Sequence, residues 1–112
     1  MKEFLLLIRE NAEYGNLSVQ DIHADIQAHI EWVETLAANG NFREGNPLEA
    51  KGTILKNGLV TDGPYVEMKE CISGYYILLA DSLEQATILA KDCPDFRTGA
   101  TLELREIINT DE

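Results

Sequence analysis

At 112 residues the chain has room for one domain and one core, and a domain of this size buries roughly two-thirds of the surface its unfolded chain exposes. Hydrophobic residues make up 45% of it and no Pro-, Ser- or Gly-rich tract interrupts it, which excludes a linker or a disordered tail. Its 20 Asp and Glu against 9 Lys and Arg give a formal net charge of −11, so its field repels phosphate backbones and anionic lipid, and neither nucleic acid nor a membrane surface is expected as a partner.

Lys2 to Arg9 is a short apolar run bounded by charge, and its length predicts a buried strand. Phe4-Leu5-Leu6-Leu7-Ile8 is too short for a signal-peptide core and far too short to span a bilayer, so a cytoplasmic location is expected. Ser18 can cap a helix in which Val19, Ile22, Ile26, Ile30, Val33, Leu36 and Ala37 recur at helical spacing until Asn39-Gly40 stops it. Phe42 to Lys56 reads as a broken extended region, and Asn57-Gly58 between Lys56 and Leu59 marks a tight hairpin turn. Gly74 to Ala80 is filled with aromatic and aliphatic residues without alternation, as a central strand is. Asp81-Ser82 can cap a second helix carrying Leu83, Ala86, Ile88, Leu89 and Ala90, which Pro94 ends just after Cys93. Thr101 to Ile108 then sets Leu102 and Leu104 against Glu103 and Arg105, the alternation of a last strand.

The resulting order, β-α-β, a hairpin insertion, then β-α-β, is the plan of a ferredoxin-like split β-α-β fold: α+β, one antiparallel sheet, both helices on one side of it. Phe4 to Ile8 and Tyr75 to Leu79 nevertheless place large apolar residues on both faces, and an exposed patch of that kind is unusual on a soluble monomer. The simplest cover is the same face of a second copy, so a homodimer packed sheet against sheet is expected.

On a helical wheel Asp25, His29 and Trp32 fall along one border of the apolar stripe. An Asp one turn before a His can orient the imidazole and raise its pKa, which suits general acid–base work; the competing reading makes His29 and Trp32 packing residues at a core border. His23 and His29 are six apart, not a spacing that sets two ligands on one helical face, so no metal is expected, and no motif calls for a cofactor. Cys71 and Cys93 form no CxxC pair and have no basic neighbour, which predicts reduced, packed thiols. Asp62-Gly63-Pro64 is either plain turn chemistry or a pocket wall, with Tyr65 as a hydrogen-bond donor to a ligand. Arg105 shares a strand face with Glu103; turned toward a partner sheet it would hold an anionic ligand at the barrel wall, or form an intersubunit ion pair.

The run Val60-Thr61-Asp62-Gly63-Pro64-Tyr65-Val66-Glu67-Met68-Lys69-Glu70 resembles the signature of the YCII-related, or DGPF-domain, family, in which an Asp-Gly-Pro-Phe turn leads into a Lys-Glu pair and a Gly-aromatic strand; Tyr65 stands here for the Phe. The likeness spans nearly the whole chain as a single domain, through Met1 to Leu7, the Trp32 helix ending at Gly40, Ser73-Gly74-Tyr75-Tyr76, Ala86 to Ala90 with Cys93-Pro94, and Leu104-Arg105. Glu106 departs from it, since relatives commonly carry Pro there. The resemblance implies a dimeric α/β barrel of bacterial origin, and a signalling context beside regulators of the extracytoplasmic-function sigma-factor type. It further implies a His and Asp pair, carried here to His29 with Asp25 or Asp62. Two functional readings follow. One is a homodimeric small-molecule-binding or accessory protein, its pocket between the first helix, the Asp62 to Tyr65 turn and the barrel wall, with a sigma-factor-pathway protein as a further partner. The other is a cofactor-independent acid–base enzyme acting on a small aromatic or lactone-like compound, with His29 as base, Asp25 or Asp62 as its orienter and Arg105 holding an anion.

Overall fold

Period-two burial organises the sheet. In the computed structural model, which describes residues 1–11, 18–63 and 70–111 (without the side chains of residues 11, 61–63 and 70), β1 (Lys2–Asn11) buries Phe4, Leu6 and Ile8 on one face. It pairs antiparallel with β5 (Glu70–Ala80) in the register Phe4↔Leu78 and Leu6↔Tyr76, so Tyr76, Leu78 and Ala80 join the same face. With β2 (Phe42–Pro47) and β6 (Thr101–Glu106) the strand order is β2-β5-β1-β6, the ferredoxin-like arrangement. The insertion between β2 and β5 is a separate two-stranded hairpin of β3 (Gly52–Lys56) and β4 (Leu59–Gly63), closed by Asn57 and Gly58 with φ of 52° and 76°, the paired positive angles its tight turn needs.

The helices cover one face. α1 (Val19–Ala38) contributes Trp32 and Leu36, α2 (Leu83–Ala90) contributes Ala86 and Ala90, and Cys93 closes the layer with no exposed surface. Burying a large apolar side chain is worth about 1.5–3 kcal/mol, so Phe4, Leu6 and Leu78 are the main anchors. The opposite face carries Leu5, Leu7, Ile77 and Leu79, all only half-buried. Among the described residues no helix is long and apolar enough to cross a membrane.

The structure departs from the sequence reading in four places. Val19, Ile22, Ile26 and Ile30 face outward, between 38% and 69% exposed, because α1 carries two stripes of helical spacing offset by one position. The stripe Asp25, His29, Trp32, Leu36 turns to the sheet instead, drawn by the bulk of Trp32 and the bonds of His29. Pro94 does not merely stop α2: it occupies the first turn of a further helix, α3 (Pro94–Arg97), where a residue without an N–H costs nothing. β1 and β5 extend beyond Arg9 and Gly74 to pair Asn11 with Glu70, while β6 ends at Glu106, short of Ile108. Finally, Ile8 faces Gly74 and Arg9 faces Ile72, leaving Ser73 as an extra residue in a β-bulge.

Candidate functional site

The buried row of β1 ends in a charge. Phe4, Leu6 and Ile8 are followed two residues on by Glu10, whose carboxylate therefore points to the helix-covered side. The bulge aims the buried Ser73 at it, and the Ser73 hydroxyl donates to Glu10 Oε2. One step along β5, Tyr76 enters the same layer, with the edge of Trp32 against its ring at a centroid distance of 4.9 Å.

His29 sits between two partners. Its Nδ1 lies 2.5 Å from the Tyr76 hydroxyl and its Nε2 lies 2.9 Å from Asp95 Oδ2, while the ring lies parallel to that of Tyr76 within 9°. Asp95 is buried at 7% exposure because α3 folds it under α1, and its backbone carbonyl accepts from the amides of Thr98 and Ala100 and from the Thr98 hydroxyl. The Cys93 thiol donates to the same carboxylate at 3.9 Å. Asp25, one turn before His29 on α1, lies farther off at 3.7 Å and is half in solvent.

Charge settles unevenly here. Burial pulls the His29 pKa down, but the hydrogen bond and charge of Asp95, then the charges of Asp25 and Glu10, outweigh it, and the imidazole is more basic than usual. Burial raises the Glu10 carboxyl, reinforced by Asp95 and Asp25 and opposed by the Ser73 bond and His29. Burial likewise raises Asp25, against the pull of His29. The Tyr76 phenol is pushed up by burial and the neighbouring anions, and burial pushes the Cys93 thiol up to about 12.

One proton arrangement satisfies every group. A neutral His29 donates from Nε2 to Asp95 and accepts at Nδ1 from the Tyr76 hydroxyl; on gaining a proton it donates from both nitrogens, and the Tyr76 hydroxyl turns its hydrogen elsewhere. Tyr76, His29 and Asp95 thus form a chain along which a proton can pass. Both ring nitrogens are engaged, so a proton enters or leaves through the ends of the chain.

Of the residues singled out from sequence, His29, Asp25 and Trp32 meet here. The side chain of Asp62 and all of Tyr65 lie outside the described residues. Arg105 is not part of this constellation: it pairs with Leu5 in register and so lies on the opposite face of the sheet, 75% exposed beside Glu103, which Arg9 also binds at 2.6 Å. The placement follows from strand alternation, since Leu102 and Leu104 take the helix side. Sequence reasoning missed Glu10, Tyr76, Cys93 and Asp95. Glu10 was readable as the next step of the Phe4, Leu6, Ile8 row, whereas Asp95 had no signal beyond its place in the first turn after Pro94.

A family model described as the YCII-related domain matches residues 3–110. None of the curated proteins compared matches the chain. Among solved structures the chain is similar to the 5-chloro-2-hydroxyhydroquinone dehydrochlorinase TftG from Burkholderia phenoliruptrix AC1100, in complex with 2,5-dihydroxybenzoquinone. The identity is 18%, the match covers 90% of each chain and the TM-score is 0.52, a likeness of fold.

Proposed function

The chain belongs to the YCII-related family, and on that premise we propose that it is a small acid–base enzyme that moves a proton on a small hydroxylated aromatic or quinone-like compound without a cofactor. The observation that carries this reading is His29 held between a buried carboxylate at 2.9 Å and a phenol at 2.5 Å. The carboxylates of Asp95, Asp25 and Glu10 gather around the ring and make it a stronger base than an ordinary histidine, which suits it to take up a proton. The substrate class comes from the solved structure of the same fold, an enzyme named for a chlorinated hydroxyhydroquinone and seen in complex with a dihydroxybenzoquinone. The reading supposes a bacterial, cytoplasmic setting, bacterial origin being what the family resemblance implies, and requires no sigma-factor partner.

Turnover of a panel of chlorinated and unchlorinated hydroquinones, followed by absorbance, tests it. The wild-type chain is expected to convert at least one of them, and His29→Gln to lose about 10²–10⁴-fold in rate. A folded His29→Gln chain that keeps full turnover sinks the assignment, and saturable binding without turnover favours the binding-protein reading instead.

The open sheet face supports a homodimer as the working form. A folded monomer of 12.5 kDa exposes about 6,200 Å², and this chain exposes 8070 Å² in a body only 19 Å thick. The excess is more than the roughly 800 Å² each partner buries in a standard interface, and Leu5, Leu7, Ile77 and Leu79 supply an apolar centre for one. Sedimentation is expected to give twice the chain mass and to fall to the single mass in Ile77→Arg; a monomeric wild type overturns the dimer.

A further inference from the structure

We propose that His29, Cys93 and Asp95 form a binding site for a borderline-soft divalent cation of the zinc class, an occupancy that goes beyond the proton-transfer reading and alternates with it. The three donor atoms, His29 Nε2, Cys93 Sγ and an Asp95 carboxylate oxygen, all lie within 4.8 Å of one another. Within the group, Nε2 and Oδ2 are 2.9 Å apart and Sγ and Oδ2 are 3.9 Å apart. Ligands of a tetrahedral zinc, bound at about 2.0–2.3 Å, stand roughly 3.3–3.8 Å from one another, so the donors need to move by no more than about 1 Å to take the ion.

Four further features fit. The donors are one imidazole nitrogen, one sulfur and one carboxylate oxygen, a set that prefers zinc or cobalt to the all-oxygen cations magnesium and calcium. The local charge is negative, with Asp25 and Glu10 close enough to act on His29 and no Lys or Arg among the described residues paired with Asp95. An imidazole bound through Nε2 must carry its hydrogen on Nδ1, and the Tyr76 oxygen stands 2.5 Å from that nitrogen, ready to accept it. Asp95 is pinned by its own backbone bonds and Cys93 is wholly buried, so two donors are already held in place.

The proton balance is simple. Cys93 releases its thiol proton to solvent, the single proton of neutral His29 moves from Nε2 to Nδ1, and Asp95 trades its hydrogen bonds from His29 and Cys93 for a bond to the metal. A water completes the fourth position, and nothing is oxidised or reduced. Because Nε2 then has no hydrogen for Asp95, a loaded chain cannot run the Tyr76-His29-Asp95 relay.

The test uses the full chain and cobalt(II) alone, with no substrate, so its failure is separate from that of the proposed reaction. One equivalent of cobalt is expected to bind with a thiolate-to-cobalt charge-transfer band in the near ultraviolet, and zinc to displace it. The band should vanish in Cys93→Ser and persist in Cys71→Ser. Tyr76→Phe should weaken binding about 10–100-fold, the usual result of removing the group that orients a ligating histidine. Should Cys93→Ser not fold, His29→Gln serves in its place and is expected to abolish stoichiometric binding. Absence of a charge-transfer band in the wild type, or a band that survives loss of Cys93 or His29, overturns the site.

Discussion

Alanine at position 45 is expected to destabilise the fold by about 1–3 kcal/mol, the usual range for overpacking, and to dislodge the tyrosine of the site at the same time. Gly45 of β2 stands opposite Tyr76 of β5, and a Cβ there would fall on the ring carbons Cδ1 and Cε1, well inside van der Waals contact. The ring has nowhere to go. Trp32 meets it edge-on at 4.9 Å, Phe42 lies at 6.4 Å, and its hydroxyl is tied to His29. β2 is an edge strand, so relief comes from the strand lifting away and giving up pairing to β5. Denaturant unfolding measures the cost and the near-ultraviolet circular dichroism of Tyr76 and Trp32 reports the displaced rings. Combining Gly45→Ala with Tyr76→Leu should recover part of the loss, since a branched chain can yield where a planar ring cannot. A Gly45→Ala chain as stable as the wild type, with unchanged ring signals, would show that the two positions do not press on each other.

That contact illustrates which parts of the molecule were legible in the sequence. Signals confined to a few neighbouring residues read correctly: the Ser18 and Ser82 side chains accept from the amides of Asp21 and Gln85 as capping requires, and Asn57-Gly58 closes its hairpin. The fold class followed, because the order of such local units leaves few topologies open. The helix facing was harder. Both the Val19-Ile22-Ile26-Ile30 stripe and the Asp25-His29-Trp32-Leu36 stripe have helical spacing, and the choice between them depends on what Tyr76 and Asp95 offer from other elements. The same limit produced the pairing of His29 with Asp25. An i,i+4 neighbour is visible in one helix, whereas Asp95 reaches the imidazole only after the chain has crossed the sheet and turned through α3. Tyr76 passed for strand filler because aromatic residues in a central strand are ordinary, and its hydroxyl acquires meaning only from the residue it meets.

Replacing Asp95 by asparagine should separate charge from geometry at the site. An asparagine oxygen can still accept from His29 Nε2, so the hydrogen bond survives while the carboxylate charge goes. His29 is more basic than usual because Asp95, with help from Asp25 and Glu10, outweighs burial; without the first of these, burial faces only the two weaker influences and the pKa should fall to or below its ordinary value. An imidazole that is more basic folded than unfolded takes up a proton on folding. Its contribution to stability is complete below about pH 6.5, the unfolded value, and is lost as the pH rises through the higher folded value. The stability gap between the wild type and Asp95→Asn should therefore be widest in mild acid, at about 1 kcal/mol, and should close toward alkaline pH. Glu10, Asp25, Tyr76 and Cys93 also face the imidazole but are common to both chains. Nuclear magnetic resonance of the His29 ring, in a His23→Gln background that leaves one imidazole signal, reads the pKa directly, and turnover should drop by about 10²-fold or more with the relay's acceptor neutralised. A His29 titration that does not move, together with a stability gap flat across pH, would mean that Asp95 holds the ring in place without setting its charge.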